Sequence, residues 1–199
     1  LAGGYNSNIT RMIIDEGFTK ENTVVYAVGK KGRELLERKG YEIKADYSEA
    51  INDPIYKDAK EICDDVLSAF ADGEVGEIYL AYTVFKNTVV HEPQLIRLLP
   101  VEADDAAHET DGSEALMTYE PSEEEALDMI IPKYVCSLVY GALIESVASE
   151  NGARMQAMDS ATSNAEEMIS TLSLKYNRAR QASITQELTE IIAGANAIE

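Results

Sequence analysis

The hydrophobic rhythm of the chain changes partway along. Through residues 1–100, short β-rich runs alternate with helical ones, whereas from Lys133 onward apolar residues recur at one continuous helical spacing. In the first part, Ile9, Met12 and Ile13 share one face of a helix predicted over residues 6–16, with Asn6 or Ser7 as its cap. TVVYAVG (residues 23–29) is a β-type run ending in glycine, and a helix over residues 31–38 is stopped by Gly40. YEIKADY (41–47) reads as a short strand. Ile55, Ala59, Ile62, Val66, Ala69 and Phe70 recur at helical spacing over residues 55–71. GEIYLAYTVF (76–85) is a strongly apolar strand, and Lys86-Asn87-Thr88 turns into another, TVVHEPQLIRLLPV (88–101). Strands alternating with helices predict a partly parallel α/β sheet. The last two runs, joined by a short turn, predict an antiparallel pair on its edge.

The C-terminal part has a different logic. Residues 133–199 contain no proline across 67 positions, so one unbroken helix there would extend for about 100 Å. Ala165, Ile169, Leu172, Tyr176 and Ala179 recur at steps of 4, 3, 4 and 3, and Ile184, Leu188, Ile191, Ala195 and Ile198 repeat the pattern. These are seam positions of a coiled coil, and the alanines permit close helix approach. The step of five from Ala179 to Ile184 breaks the phase. Gly141 and Gly152 each cost a helix about 1 kcal/mol relative to alanine, which allows its early turns to bend. The predicted organisation is therefore an α/β domain over 1–100, an acidic connector over 101–132 and a long helix over 133–199.

Charge sharpens this division. The formal net charge of −19 repels phosphate backbones and anionic headgroups, which argues against nucleic-acid binding and against an electrostatic membrane anchor. No run approaches the roughly 20 apolar residues of a membrane span. The connector carries eleven carboxylates over residues 102–128 and no Lys or Arg, which reads as a solvated, self-repelling segment rather than a calcium loop, since EF-hand spacing is absent. Positive charge is scarce, yet Lys175, Arg178 and Arg180 crowd within six residues of the long helix, and Arg154 is the only other basic residue after Lys133. They either pair within the helix or meet acidic groups on an enclosing partner.

Candidate chemistry is sparse. His91 and His108 have no cysteine or histidine at metal-ligand spacing, and Cys63 and Cys136 match no metal or redox motif. They read as two reduced thiols in apolar surroundings, in a reducing compartment. No nucleophile elbow or Walker loop is present. Gly3-Gly4 before a helix either makes a tight strand-to-helix turn or cradles a phosphate. No catalytic residue, cofactor site or metal site is expected.

YNRARQASITQELTEIIAGANAI (residues 176–198) resembles the C-terminal end of the gamma subunits of rotary F-type ATP synthases. YGALIESVASENGARMQAMDSATSNAEEMI (140–169) resembles the preceding stretch of the same helix, and LAGGYNSNI at the start resembles the segment after that family's first strand. The likeness runs in order along essentially the whole chain. It is highly specific over the last 60 or so residues and a matter of pattern over roughly residues 20–130.

The resemblance implies a Rossmann-like, partly parallel domain and a very long C-terminal coiled-coil helix. It also implies that the family's N-terminal helix and first strand are missing from this chain, so the seam Ala165, Ile169, Leu172, Tyr176, Ile184, Leu188 and Ile191 lacks its partner. The implied role is a non-catalytic rotor of the central stalk, coupling ion-driven rotation of a membrane ring to ATP synthesis or hydrolysis in the beta subunits. The implied partners are the alpha and beta subunits, the epsilon subunit and the c-ring, on the cytoplasmic face of a bacterial cell membrane. By position, Arg180, Gln181, Thr185 and Glu187 match residues that reach a beta-subunit loop, Arg154 matches one facing the beta subunits' acidic levers, and Tyr119 and Glu120 match the foot near the ring and epsilon. Two other classes remain open: a different coiled-coil scaffold or adaptor, and a nucleotide-binding α/β enzyme using Gly3-Gly4.

Overall fold

A computed structural model of the chain describes residues 3–101 and 122–196. It divides into two units, Leu1–Arg154 and Met155–Glu199. In the first, α1 (Gly3–Asp15) is followed by β1 (Val24–Ala27), α2 (Lys30–Arg38), β2 (Glu42–Asp46), α3 (Tyr56–Ala71), β3 (Ile78–Phe85), β4 (His91–Leu99) and the opening turns of α4 (Glu123–Asn196).

Local chemistry explains most boundaries. Gly40 adopts φ 89° just after α2, the left-handed conformation that ends helices and that side chains disfavour. The Asp58 carboxylate accepts a 2.9 Å hydrogen bond from the Ile55 amide at the start of α3, satisfying one of the helix's orphan donors. Between β3 and β4, Asn87 Oδ1 accepts from the amides of Val89 and Val90 at 2.9 and 2.8 Å, so the turn is held by one side chain.

Three features depart from the sequence reading. Gly3 and Gly4 do not form a turn before the helix. They are its first residues, and Ser7 caps nothing, its hydroxyl donating instead to the Gly3 and Gly4 carbonyls. The long helix begins at Glu123 and carries Pro132 inside it. Ser122 explains the early start: its Oγ accepts from the Glu125 amide at 3.2 Å, and Glu124 and Glu125 stand in the first turn, where the helix dipole favours negative charge. Finally, the four strands make two separate pairs, β1 with β2 in parallel and β3 with β4 antiparallel, rather than one sheet. Among the described residues no strand bridges the two pairs, so the free edges of β1 and β3 stay unjoined.

The core lies where α3 and α4 cover the β3–β4 pair. Ala59, Ile62 and Cys63 from α3 meet Ile78, Leu98 and Leu99 from the sheet and Val135, Cys136, Val139 and Leu143 from α4. An 18-residue window of α4 reaches a mean hydropathy of 1.5, enough by length and composition to cross a membrane. The packing of Val135, Val139, Ala142 and Leu143 into this core gives its apolar residues a use inside the domain.

The second unit has no core. It continues α4 from Met155 through Asn196, and every described residue from Met158 to Asn196 is exposed.

Candidate partner interface

The predicted seam residues are placed on the helix as their spacing requires, and all are bare. Ile169, Leu172 and Tyr176 are 64%, 60% and 68% exposed, and Ile184, Leu188 and Ile191 are 45%, 55% and 67% exposed. Ala165 is exposed with them. At about 100° per residue, Ala165 to Ala179 lie within about 80° of one another, and Ile184 to Ala195 within about 60°, the second group displaced from the first by about 100°. The apolar surface is therefore one stripe in two segments, stepping around the helix at the phase break.

The predicted contact residues do not form a single cluster. By the same rotation, Arg180 and Glu187 flank one margin of the Ile184–Leu188–Ile191 stripe and Gln181 and Thr185 flank the other. These are polar positions bordering the stripe on either side. All four are exposed. Thr185 Oγ donates to the Gln181 carbonyl at 2.9 Å, so its hydroxyl is engaged by its own helix. Among the described residues, Lys175, Arg178 and Arg180 make no ion pair.

Arg154 stands apart, at the end of the first unit. Its guanidinium pairs with Glu150 one turn back and donates to Asn151 Oδ1 at 3.2 Å. A half-exposed i,i+4 pair of this kind contributes about 0.3–0.5 kcal/mol, so the guanidinium can be released to a better carboxylate. Tyr119 and Glu120 lie outside the described residues.

The anchoring of α4 was not legible in advance. Tyr5 Oη donates to the Ser146 carbonyl at 3.0 Å, tying α1 to α4, and burial pushes its hydroxyl pKa upward. Ser149, fully buried, donates its Oγ to the Thr83 carbonyl on β3 at 3.2 Å. Gly152 sits against His91 and Phe85. The one sequence signal was Gly152 itself, an unfavourable residue inside a helix with no capping role. Cys63 and Cys136 are both free and buried; burial first, then the neighbouring Cys136, pushes the Cys63 thiol up to about 12.

A cleft of about 1370 Å³ runs along the first unit, lined by Val24 and Tyr26 of β1, Ile78 and Leu80 of β3, and Val135 and Val139 of α4. No group of three or more His, Cys, Asp or Glu side chains among the described residues is placed to hold a metal ion.

A family model described as ATP synthase matches residues 1–198. The chain is 67% identical, over all of its length and 70% of the relative's, to the ATP synthase gamma chain of Lachnoclostridium phytofermentans. It is 43% identical, again over its whole length and 71% of the relative's, to the sodium ion specific ATP synthase gamma chain of Acetobacterium woodii. A chain in the central stalk/c-ring structure of Tetrahymena thermophila mitochondrial ATP synthase superposes with a TM-score of 0.61 at 25% identity, covering 81% of this chain and 70% of that one.

Proposed function

The chain belongs to the ATP synthase gamma-chain family, whose members are non-catalytic subunits of the central stalk, and on that premise we propose that residues 155–196 work as a shaft enclosed by catalytic neighbours. Ion flow turns a membrane ring, the ring turns this subunit, and its asymmetric surface meets each beta subunit differently. A rotor drives its neighbours only through such differential contact with their open and closed states.

One observation carries the reading: a helix with no buried residue from Met158 to Asn196 that nevertheless holds an apolar stripe. Isolated helices are marginal in water, and most helical stability in proteins comes from packing an apolar face. Fully burying each large stripe residue is worth about 1.5–3 kcal/mol. A second helix laid antiparallel along Ala165–Ala179 and Ile184–Ala195 supplies that burial. The gamma chains it matches extend well beyond the matched length, leaving sequence in them for such a helix.

The same logic extends to the first unit as a Rossmann-like domain. The free edges of β1 and β3 face one cleft over the apolar face of α4, and one further strand between them would join two pairs into a single sheet. Strands sit about 4.8 Å apart, so an inserted strand reaches a partner on each side only if the pairs are spread by twice that spacing.

With the stripe covered, Arg180 and Glu187 remain on one rim and Gln181 and Thr185 on the other, available to beta subunits. Arg154 is placed to exchange Glu150 for an acidic lever. Exposed ion pairs worth about 0.2–1 kcal/mol are made and broken at each step, whereas a large apolar interface would lock the rotor. The alpha and beta subunits, epsilon and the c-ring are the partners in this reading, at the cytoplasmic face of the membrane. Neither a free-standing scaffold nor a nucleotide-binding enzyme fits as well, and the latter loses its phosphate-cradling turn to helix α1. Co-purification tests the reading: supplied with the covering helix, the chain should assemble with alpha and beta subunits, and by itself it should bind neither ATP nor NAD in titration calorimetry. Failure to assemble, or mononucleotide binding by the isolated chain, would overturn it.

A further inference from the structure

Gly152 is the last buried residue of α4 among the described residues. A Cβ built on it would lie 2.8 Å from His91 Cε1, 3.2 Å from His91 Nε2 and 3.4 Å from Phe85 Cε2. The first of these is closer than carbon atoms approach without displacement. Phe85 lies beside the His91 ring, with centroids 6.0 Å apart and planes at 20°, and both rings reach the Gly152 backbone. Both ring nitrogens are buried and without a hydrogen-bond partner in the described residues. The imidazole therefore serves this site as a flat packing surface. Three residues earlier, on the same face of α4, Ser149 donates to the Thr83 carbonyl of β3. Thr83, Phe85 and His91 all belong to the end of the β3–β4 hairpin nearest its turn.

We propose that this hairpin end is a mechanical clamp on α4, with Gly152 as the positioning residue that lets the His91–Phe85 stack seat against the helix backbone. The inference rests on the rotor reading above. A shaft transmits torque only if its last held turn cannot roll, and the clamp offers two grips there: a hydrogen bond at Ser149 and a backbone-to-ring contact at Gly152. A glycine in the middle of a helix is otherwise unfavourable, and alanine would be the better helix former.

That preference gives the test a sign. In the assembled ATP synthase carrying this chain, Gly152→Ala should lower the melting temperature of the subunit despite the gain in helix propensity. It should also measurably reduce the ions pumped per ATP hydrolysed. Adding His91→Ala to the Gly152→Ala background removes the obstructing ring, so the melting temperature should recover, but it also removes the ring grip, so the coupling ratio should stay low. A rise in melting temperature or an unchanged coupling ratio in Gly152→Ala, or a normal coupling ratio in the double variant, would each overturn the clamp. An unsubstituted complex that hydrolyses ATP without pumping would overturn the rotor reading instead, so the two failures are distinguishable.

Discussion

Helix α4 is one secondary-structure element with two opposite surroundings. Around Val135, Cys136, Val139 and Leu143 it is buried on a sheet and a neighbouring helix; around Ile169, Leu172, Ile184 and Ile191 similar side chains stand in solvent. Hydrophobicity does not distinguish the two. What differs is whether this chain supplies the opposing surface. The first stretch is a core in the ordinary sense, and the second is an exposed apolar stripe that we propose is half of an interface.

Substituting a charge into each stretch breaks the comparison most severely. Val135→Asp buries an unpaired carboxylate at a position only 2% exposed and should cost more than about 4 kcal/mol in urea denaturation of the chain. Ile169→Asp should stay within about 0.5 kcal/mol in the same assay, because the side chain is already in water. Equal costs would mean the two stretches do not differ as described.

Next in size, Leu172→Ala should be nearly neutral in the isolated chain but cost about 2–5 kcal/mol in the assembled complex, where large-to-small changes leave a cavity. A thermal shift that is the same alone and assembled would remove the case for a covering helix. Smaller still is the double change Arg180→Ala and Gln181→Ala. Losing exposed polar contacts worth about 0.2–1 kcal/mol each should impair coupling or assembly while circular dichroism of the chain is unchanged. Unaltered synthesis, hydrolysis and assembly would count against the rim assignment.

The smallest consequence at neutral pH concerns Cys63. Its thiol stays protonated well above its ordinary 9.0, up to about 12. Because the folded value is raised, the stability it contributes is complete below pH 9 and is lost as the pH climbs through about 12. Iodoacetamide at pH 8 should leave Cys63 unmodified until denaturant opens the first unit. Rapid alkylation of the folded chain would contradict its burial.

Much of this fold can be read locally. The end of α2 at Gly40, the β3–β4 turn at Asn87 and the 4-3 spacing after Ala165 each follow from residues within a few positions of one another. The start of α4 also carries a local signal, the Ser122-x-x-Glu125 box, which Pro132, a residue that usually ends a helix, masks in the sequence. Contacts between distant residues are another matter: nothing in the sequence pairs His91 with Gly152, or leaves β1 and β3 unjoined across a cleft. The stripe is legible because periodicity is its physics. The roles proposed for Arg154, Arg180, Gln181, Thr185 and Glu187 come from the resemblance, because periodicity places a residue on a helix face without saying what meets it.

Amide hydrogen exchange along α4 tests the central claim most directly. Measured on the chain alone and on the chain assembled with alpha and beta subunits, protection at residues 135–149 should be strong in both, since α4 is buried there in either case. Residues 158–196 should exchange rapidly in the chain alone and become protected on assembly. Strong protection of that stretch in the dilute isolated chain, or none in the complex, would contradict the account of it as a shaft that others enclose.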